Sequence, residues 1–357
     1  MKKYPILHSA AFRAGTLAAV WLLVICLSHL YLNRDNRSSN RVVMGYMPVV
    51  TNMAAALVDF VTRGEPVYYE ALKFGTFSEM AEAFRAGKIQ AAFIIAPLAL
   101  ALHEQRVPLK VVYIGNRHES TLVVKAAEKF DTPLDIIGKK IAVPIRYSGH
   151  YLAIKRYLRE HGLKESQVNI MEVPPPEMPA SLAAGEIDGY FCGEPFPSKA
   201  LVNGSGKRFL NAESVWPKFI CNLVIVREEL IRSHPDWVQG LVSMAAKAGG
   251  WAENHTEEAI KVLSQYWGQD PSIVRYALTT PPGRVRFDLF VPRVEEFDEI
   301  AREMQREGQL GKNVDVSAMI EDRFAVAVKP ESFSPNDDVF SIKREPGARS
   351  QAQAANK

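Results

Sequence analysis

His150 and Glu194 are the two residues whose types and positions most suggest chemistry. His150 follows Ser-Gly at an expected helix start. Helix N-termini bind anions through free N–H groups and the helix dipole, and the same field keeps an imidazole neutral. Its bland reading is a capping or solvated histidine. Glu194 stands in Cys-Gly-Glu-Pro at the end of an apolar run. A charge there needs a partner: a ligand, a structural ion pair with Arg146 or Lys218, or a cation shared with Glu119. No Gly-x-Ser-x-Gly elbow, phosphate loop or Cys/His metal spacing is present, so the pattern points to binding without catalysis, metal or cofactor.

The elements that must position these residues come in two copies. Residues 42–102 and 140–200 align without a gap at an offset of 98 residues. Glu79, Met80, Ala86, Gly87, Ile89, Phe93 and Pro97 recur as Glu177, Met178, Ala184, Gly185, Ile187, Phe191 and Pro195. A unit repeated twice at this spacing is too long for a solenoid and reads as two similar lobes. In the first copy short apolar runs (Val42–Tyr46, Tyr68–Phe74, Ile89–Ile95) alternate with helical periodicity (Asn52–Thr62, Ser78–Ala86, Pro97–Gln105). In the second, strands Lys140–Pro144, Val168–Val173 and Ile187–Cys192 alternate with helices His150–Glu160 and Met178–Ala184. This is βαβ order, hence an α/β fold with parallel-type sheets flanked by helices. Ser120–Lys125 and Asn222–Val226 are extended runs between the copies and read as a double hinge. Helices are expected over Pro235–Asn254, Thr256–Trp267, Pro271–Leu278 and Val291–Glu307. The expected division is 41–121 plus 226–330 for lobe I and 122–225 for lobe II.

Ligands of open parallel sheets bind beyond the strand carboxyl ends. That rule selects Asn52, Thr76, Phe77 and Pro97 from lobe I, and Tyr147, His150, Glu194 and Phe196 from lobe II. The hinge approaches add Glu119 and Lys218. Each has a bland reading as well: Asn52 as an N-cap, the aromatics as core, Lys218 as a solvated surface charge.

The ends of the chain add location. Lys2, Lys3 and Arg13 precede Ala14–Leu32, which carries no formal charge apart from a possible proton on His29 and has about the length that spans a bilayer. No small-residue cleavage site is evident, and Ile25 before Cys26 argues against lipidation. Residues 1–40 therefore read as an uncleaved anchor and linker, with a cleaved signal as the alternative and the body extracytoplasmic. Glu331–Lys357 is polar, without apolar periodicity, and is expected to be disordered. Net charge is +3 with both signs dispersed, which gives no nucleic-acid footprint. The three cysteines form no disulfide framework; Cys192 and Cys221 read as free buried thiols, with a bridge between them as the other reading.

The GYMP turn, GKIQAAFIIAPLALAL, GKKIAVP, VPPPEM and AGEIDGYFCGEPF together resemble the substrate-binding proteins of nitrate/sulfonate/bicarbonate ABC importers, the NMT1/THI5-like group with a two-lobed type II periplasmic-binding fold. The resemblance covers about Val42 to Leu310. It implies a small solute trapped between lobes, an ABC permease and its ATPase as partners, and a monomer. Carried over residue by residue, the nitrate/bicarbonate branch places its ligand contacts at Phe77, Glu119, His150 and Lys218. Phe77 stands where that branch favours tryptophan and Glu119 where it has glutamine, which argues against nitrate itself. A membrane-anchored sensor and a thiamin-pyrimidine-forming enzyme are the alternative functions, though the cysteine-rich iron motif of the latter is missing.

Overall fold

The computed structural model describes residues 10–32 and 40–329. The expected linker at 33–39 and tail at 331–357 lie outside the described residues. The chain forms two units, residues 1–41 and 42–357. In the first, α1 (Ala10–Leu32) is a single helix. Among the described residues no helix is long and apolar enough to cross a membrane. Residues 1–9 and 33–39 of the expected anchor and linker lie outside the described residues.

The second unit begins with β1 (Arg41–Tyr46), α2 (Met53–Thr62), β2 (Tyr68–Lys73), α3 (Phe77–Arg85), β3 (Ala91–Ile95), α4 (Ala96–Glu104) and β4 (Leu109–Ile114). There follow β5 (Ser120–Lys125), β6 (Lys140–Val143), α5 (Gly149–Glu160), β7 (Asn169–Glu172), α6 (Met178–Ala184), β8 (Gly189–Gly193), α7 (Phe196–Val202), β9 (Gly206–Asn211) and α8 (Ala212–Val215). The chain then forms β10 (Asn222–Arg227), α9 (Glu228–Ser233), α10 (Pro235–Asn254), α11 (Thr256–Trp267), α12 (Pro271–Thr279), α13 (Val294–Arg306) and α14 (Arg323–Val326).

The strands make two five-stranded sheets of equivalent order, β2-β1-β3-β10-β4 and β7-β6-β8-β5-β9. β3 and β8 sit at the 98-residue offset, and every residue of both is buried. That is the pattern of a central strand covered on both faces. The pairs β1–β3, β6–β7 and β6–β8 are parallel. One antiparallel strand completes each sheet: β10 lies between β3 and β4, and β5 between β8 and β9. The two runs read as hinges are these strands. Each leaves one lobe and fills the open slot in the sheet of the other. The segments that pass from one sheet to the other are residues 115–119 and 216–221. His118, with φ 63, turns the first crossing, and its Nε2 lies 3.3 Å from the Pro217 carbonyl of the second.

Helices α7 and α8 and strand β9 were not expected from the pattern. Pro197 occupies the first turn of α7, where a missing N–H breaks no helical bond. The other helices start as local chemistry dictates: Thr76 caps α3 by accepting from Glu79 N, and Ser148 caps α5 by accepting from Tyr151 N, both at 3.2 Å. Cys192 and Cys221 are free and buried.

Candidate functional site

The carboxyl ends of β1 and β3 face those of β6 and β8 across the crossings. The Val50 amide, just before α2, donates to the Glu194 carbonyl at 2.7 Å and so joins the two walls. Asn116 Nδ2 donates to the Val50 carbonyl at 3.0 Å and ties the first crossing to the same turn.

A hydrogen-bonded chain runs through this junction. His150 Nε2 lies 2.9 Å from Ser120 Oγ. Ser120 Oγ donates to Glu119 Oε1 at 2.7 Å. The Glu194 amide donates to Glu119 Oε2 at 2.8 Å, and the Ser198 amide donates to Glu194 Oε2 at 2.8 Å. All five residues are buried, Glu119 and Glu194 to within 1% of full burial. Burial pushes both carboxyls up to about 7; hydrogen bonds from Ser120 and Ser198 oppose this, and Glu194 adds repulsion at Glu119. Burial also lowers His150 to about 3, so its imidazole is neutral at physiological pH. Its ring packs against Phe191 and Phe219 at centroid distances of 5.2 and 5.5 Å. Arg284 braces the chain from the loop after α12. It donates to the Ser120 carbonyl at 2.7 Å and to Thr121 Oγ1 at 2.9 Å, while paired with Glu213 at 2.8 Å.

Of the residues selected from sequence, the structure brings Glu119, His150 and Glu194 together. Asn52 is adjacent and fully engaged. It donates to the Met47 and Phe93 carbonyls at 3.1 and 3.4 Å and accepts from Asn222 Nδ2 at 2.7 Å. It thus braces strand ends and makes no side-chain cap to α2. Thr76 is the cap of α3. Phe77 packs with Met80 and Phe84 in the lobe I core. Pro97 is buried in the first turn of α4, and Phe196 is buried at the start of α7, its carbonyl accepting from Tyr190 Oη at 2.7 Å. Tyr147 and Lys218 are exposed. Lys218 contributes only its carbonyl, to Arg117 Nη1 at 3.3 Å. Neither pairing expected for Glu194 forms: Arg146 turns to Glu165 and the Lys218 side chain faces solvent, because Glu194 lies behind the closed junction.

Sequence reasoning missed Ser120, Ser198, Cys221, Asn222 and Arg284. Ser120 and Asn222 begin strands, where polar residues read as edges. Cys221 donates to Asn222 Oδ1 at 3.1 Å and lies 3.8 Å from His150 Nε2. Arg284 is 163 residues from its Thr121 partner, and no local pattern predicts such a contact.

Two equivalent sheets joined by a double crossing, with a buried polar junction at their strand ends, make a two-lobed α/β fold. The family model for the NMT1-like family matches residues 35–266, and the chain belongs to this family. The taurine-binding periplasmic protein of Escherichia coli (strain K12) is 30% identical over 181 residues, 49% of this chain and 55% of that protein. The periplasmic nitrate-binding protein NrtA from Synechocystis PCC 6803 superposes with a TM-score of 0.71 at 15% identity, over 83% of this chain and 92% of that one. The alkanesulfonate-binding protein SsuA from Xanthomonas axonopodis pv. citri, bound to MOPS, superposes with a TM-score of 0.68 at 21% identity, over 79% and 98%. The chain spans about half, or less, of the length of the curated relatives it matches.

Proposed function

We propose that this protein captures a small solute between its two lobes and delivers it to an ABC importer, working outside the cytoplasmic membrane as a monomer. The observation that carries the reading is the junction itself. Glu194 Oε1 and His150 Nδ1 are buried without a hydrogen-bond partner, at the point where the two walls meet. An unsatisfied buried polar group costs about 1–3 kcal/mol, and a bound solute relieves that cost. Docking to a permease and its ATPase is supported by family membership and by a two-lobed fold suited to closing on a solute. An extracytoplasmic position is supported by the periplasmic relatives. Tethering is supported by α1, on which Leu17, Val20, Trp21, Leu22, Leu23, Val24, Ile25 and Leu27 are all exposed and call for an apolar surround.

The role is binding rather than catalysis. Burial pushes the Cys221 thiol well above its usual range, and neutral His150 supplies no charge to favour a thiolate. The test is calorimetry and thermal melting of the full chain with nitrate, bicarbonate, short sulfonates and small nitrogen heterocycles. One class should raise the melting temperature, by the equivalent of about 2.7 kcal/mol at a concentration one hundred times its dissociation constant. If no class shifts the melt, the solute-binding reading is wrong.

A further inference from the structure

One buried guanidinium gathers both crossings of the hinge. Arg117 lies in the first crossing, and its main chain pairs with Arg286 in both directions, each amide donating to the other's carbonyl at 3.0 Å. Its Nε donates to the Leu289 carbonyl at 3.0 Å, while Nη1 and Nη2 grip Glu296 Oε1 and Oε2 at 2.9 and 3.0 Å. Nη1 also donates to the Lys218 carbonyl of the second crossing at 3.3 Å. The Arg117 and Glu296 side chains are 4% and 10% exposed. A guanidinium forked onto a carboxylate fixes direction as well as distance, and salt screens it little when buried. Glu296 lies in the first turn of α13, where the helix dipole favours a carboxylate, and α13 packs on α4 of lobe I and α5 of lobe II. The loop that supplies Leu289 is fastened to lobe I: the Ile114 amide donates to the Phe290 carbonyl at 2.8 Å, and Phe290 stacks on Tyr113 with centroids 5.6 Å apart. The neighbouring contact between the crossings, from His118 to the Pro217 carbonyl, lies at the surface. The Arg117 contact is the one shielded from water.

We propose that Arg117, oriented by Glu296, is the positioning residue of the hinge: it makes the two crossings turn as one and so sets the angle at which the lobes meet. The inference deepens the solute-capture reading and rests on it for its purpose. Hinge motion is taken up by a few backbone torsions, and here they are shared between two separate segments. Crossings that rotated independently would let lobe II twist as well as close, and the entropy of ordering it would oppose every binding event. Arg117 is held to the lobe I loop by main chain and side chain alike, which leaves the Lys218 carbonyl as the movable end of its network.

Nitroxide labels at Lys88→Cys and Glu186→Cys, in a Cys26→Ser background, report lobe separation in the solute-free full chain by pulsed electron resonance. The two positions are exposed and equivalent in the repeat, just before β3 and β8, and the native Cys192 and Cys221 are buried away from the label. In this parent one distance should dominate. Glu296→Gln, which keeps one acceptor oxygen and loses the charge, should raise the ratio of longer distances to the dominant one about ten-fold, the factor that one hydrogen bond to a charged group supplies. Arg117→Lys, which keeps the charge and loses the fork, should act in the same direction. Arg117→Met combined with Glu296→Leu removes the pair without stranding either charge, so it should melt close to the parent and still show the longer distances. A pair that merely stabilised the fold would instead give the parent's distances in that double variant, and this result overturns the inference whether or not the single variants fold. The labels read the hinge without solute. A melt that no solute class shifts therefore overturns solute capture, while the distances alone decide the role of Arg117.

Discussion

Glu194 occupies the position that Ala96 holds in the first copy of the repeat. Ala96 is buried at the start of α4, where its amide donates to the Cys221 carbonyl at 3.1 Å; Glu194 brings a carboxyl group to the matching corner of lobe II. The consequence is a measurable pH dependence. Glu119 and Glu194 titrate near 7 when folded and near their ordinary value when unfolded. The unfolded chain therefore releases their protons first, and stability falls as pH rises from about 4.5 to 7. His150, held near 3, acts in the opposite sense: its contribution is present above pH 6.5 and is lost as pH falls below it. Between 4.5 and 6.5 two acids outweigh one histidine, so lower pH is favoured; below 4.5 only the histidine loss remains. Glu194→Gln removes one of the two acids. Its melting temperature should fall less than the parent's from pH 5 to pH 8, and at pH 8 it should equal or exceed the parent's. The gain cannot exceed about 3 kcal/mol for a carboxyl shifted this far. A variant with an unchanged pH slope would show that Glu194 is solvated.

The strands and turns around the junction are packed so closely that one glycine is obligatory. A Cβ at Gly115, between β4 and the first crossing, would stand 2.5 Å from the Thr51 carbonyl oxygen and 3.1 Å from that of Asn222. Both are backbone atoms that cannot rotate away. Gly115→Ala should therefore cost about 1–3 kcal/mol, read by urea denaturation, and should push the turn before α2 away from lobe II. Solute affinity falls with it. Full stability would mean that the two walls have room to move apart. Much at this level was legible from sequence. β3 and β8 as buried strands, and the end of the helix Met178–Ala184 at Gly185, with φ 79, follow from local residue types, whereas the cap of α3 is Thr76 and not the expected Ser78. Asn52 did not follow, because its side chain is taken by three partners on β10, β3 and the turn after β1.

A second contact joins the lobes away from the junction. Helix α13 packs against α4 of lobe I and α5 of lobe II. Between α13 and α5, Lys155 meets Glu307 at 2.8 Å, Arg156 meets Glu299 at 2.7 Å and Arg159 meets Glu303 at 2.7 Å. These pairs are partly exposed, so each is worth less than about 1 kcal/mol and weakens with salt. As a row they bias the lobes toward one another. Arg156→Ala should lower stability by about 0.5–1 kcal/mol in dilute buffer, and the difference from the parent should shrink at 0.5 M salt, an ionic strength at which the screening length is roughly 4 Å. A loss independent of salt would instead assign the effect to the packing of the guanidinium over Trp216, at 5.3 Å.

The repeat, the alternation of strand and helix, and the cleft that two lobes imply were all written in the chain. They rest on periodicities of two and 3.6 residues and on caps a few positions away, which any segment carries with it. His150 and Glu194 stood out by local signals of the same kind, a helix start and the end of an apolar run. The slots that β5 and β10 fill were not written there, since a strand's partners depend on which sheet has an unpaired edge when the lobes assemble. Nor was the meeting of Glu119 with Glu194, 75 residues apart. Burial side by side, which raises both acids and leaves Glu194 Oε1 and His150 Nδ1 without a hydrogen-bond partner, is a property of the assembled junction and of no single segment.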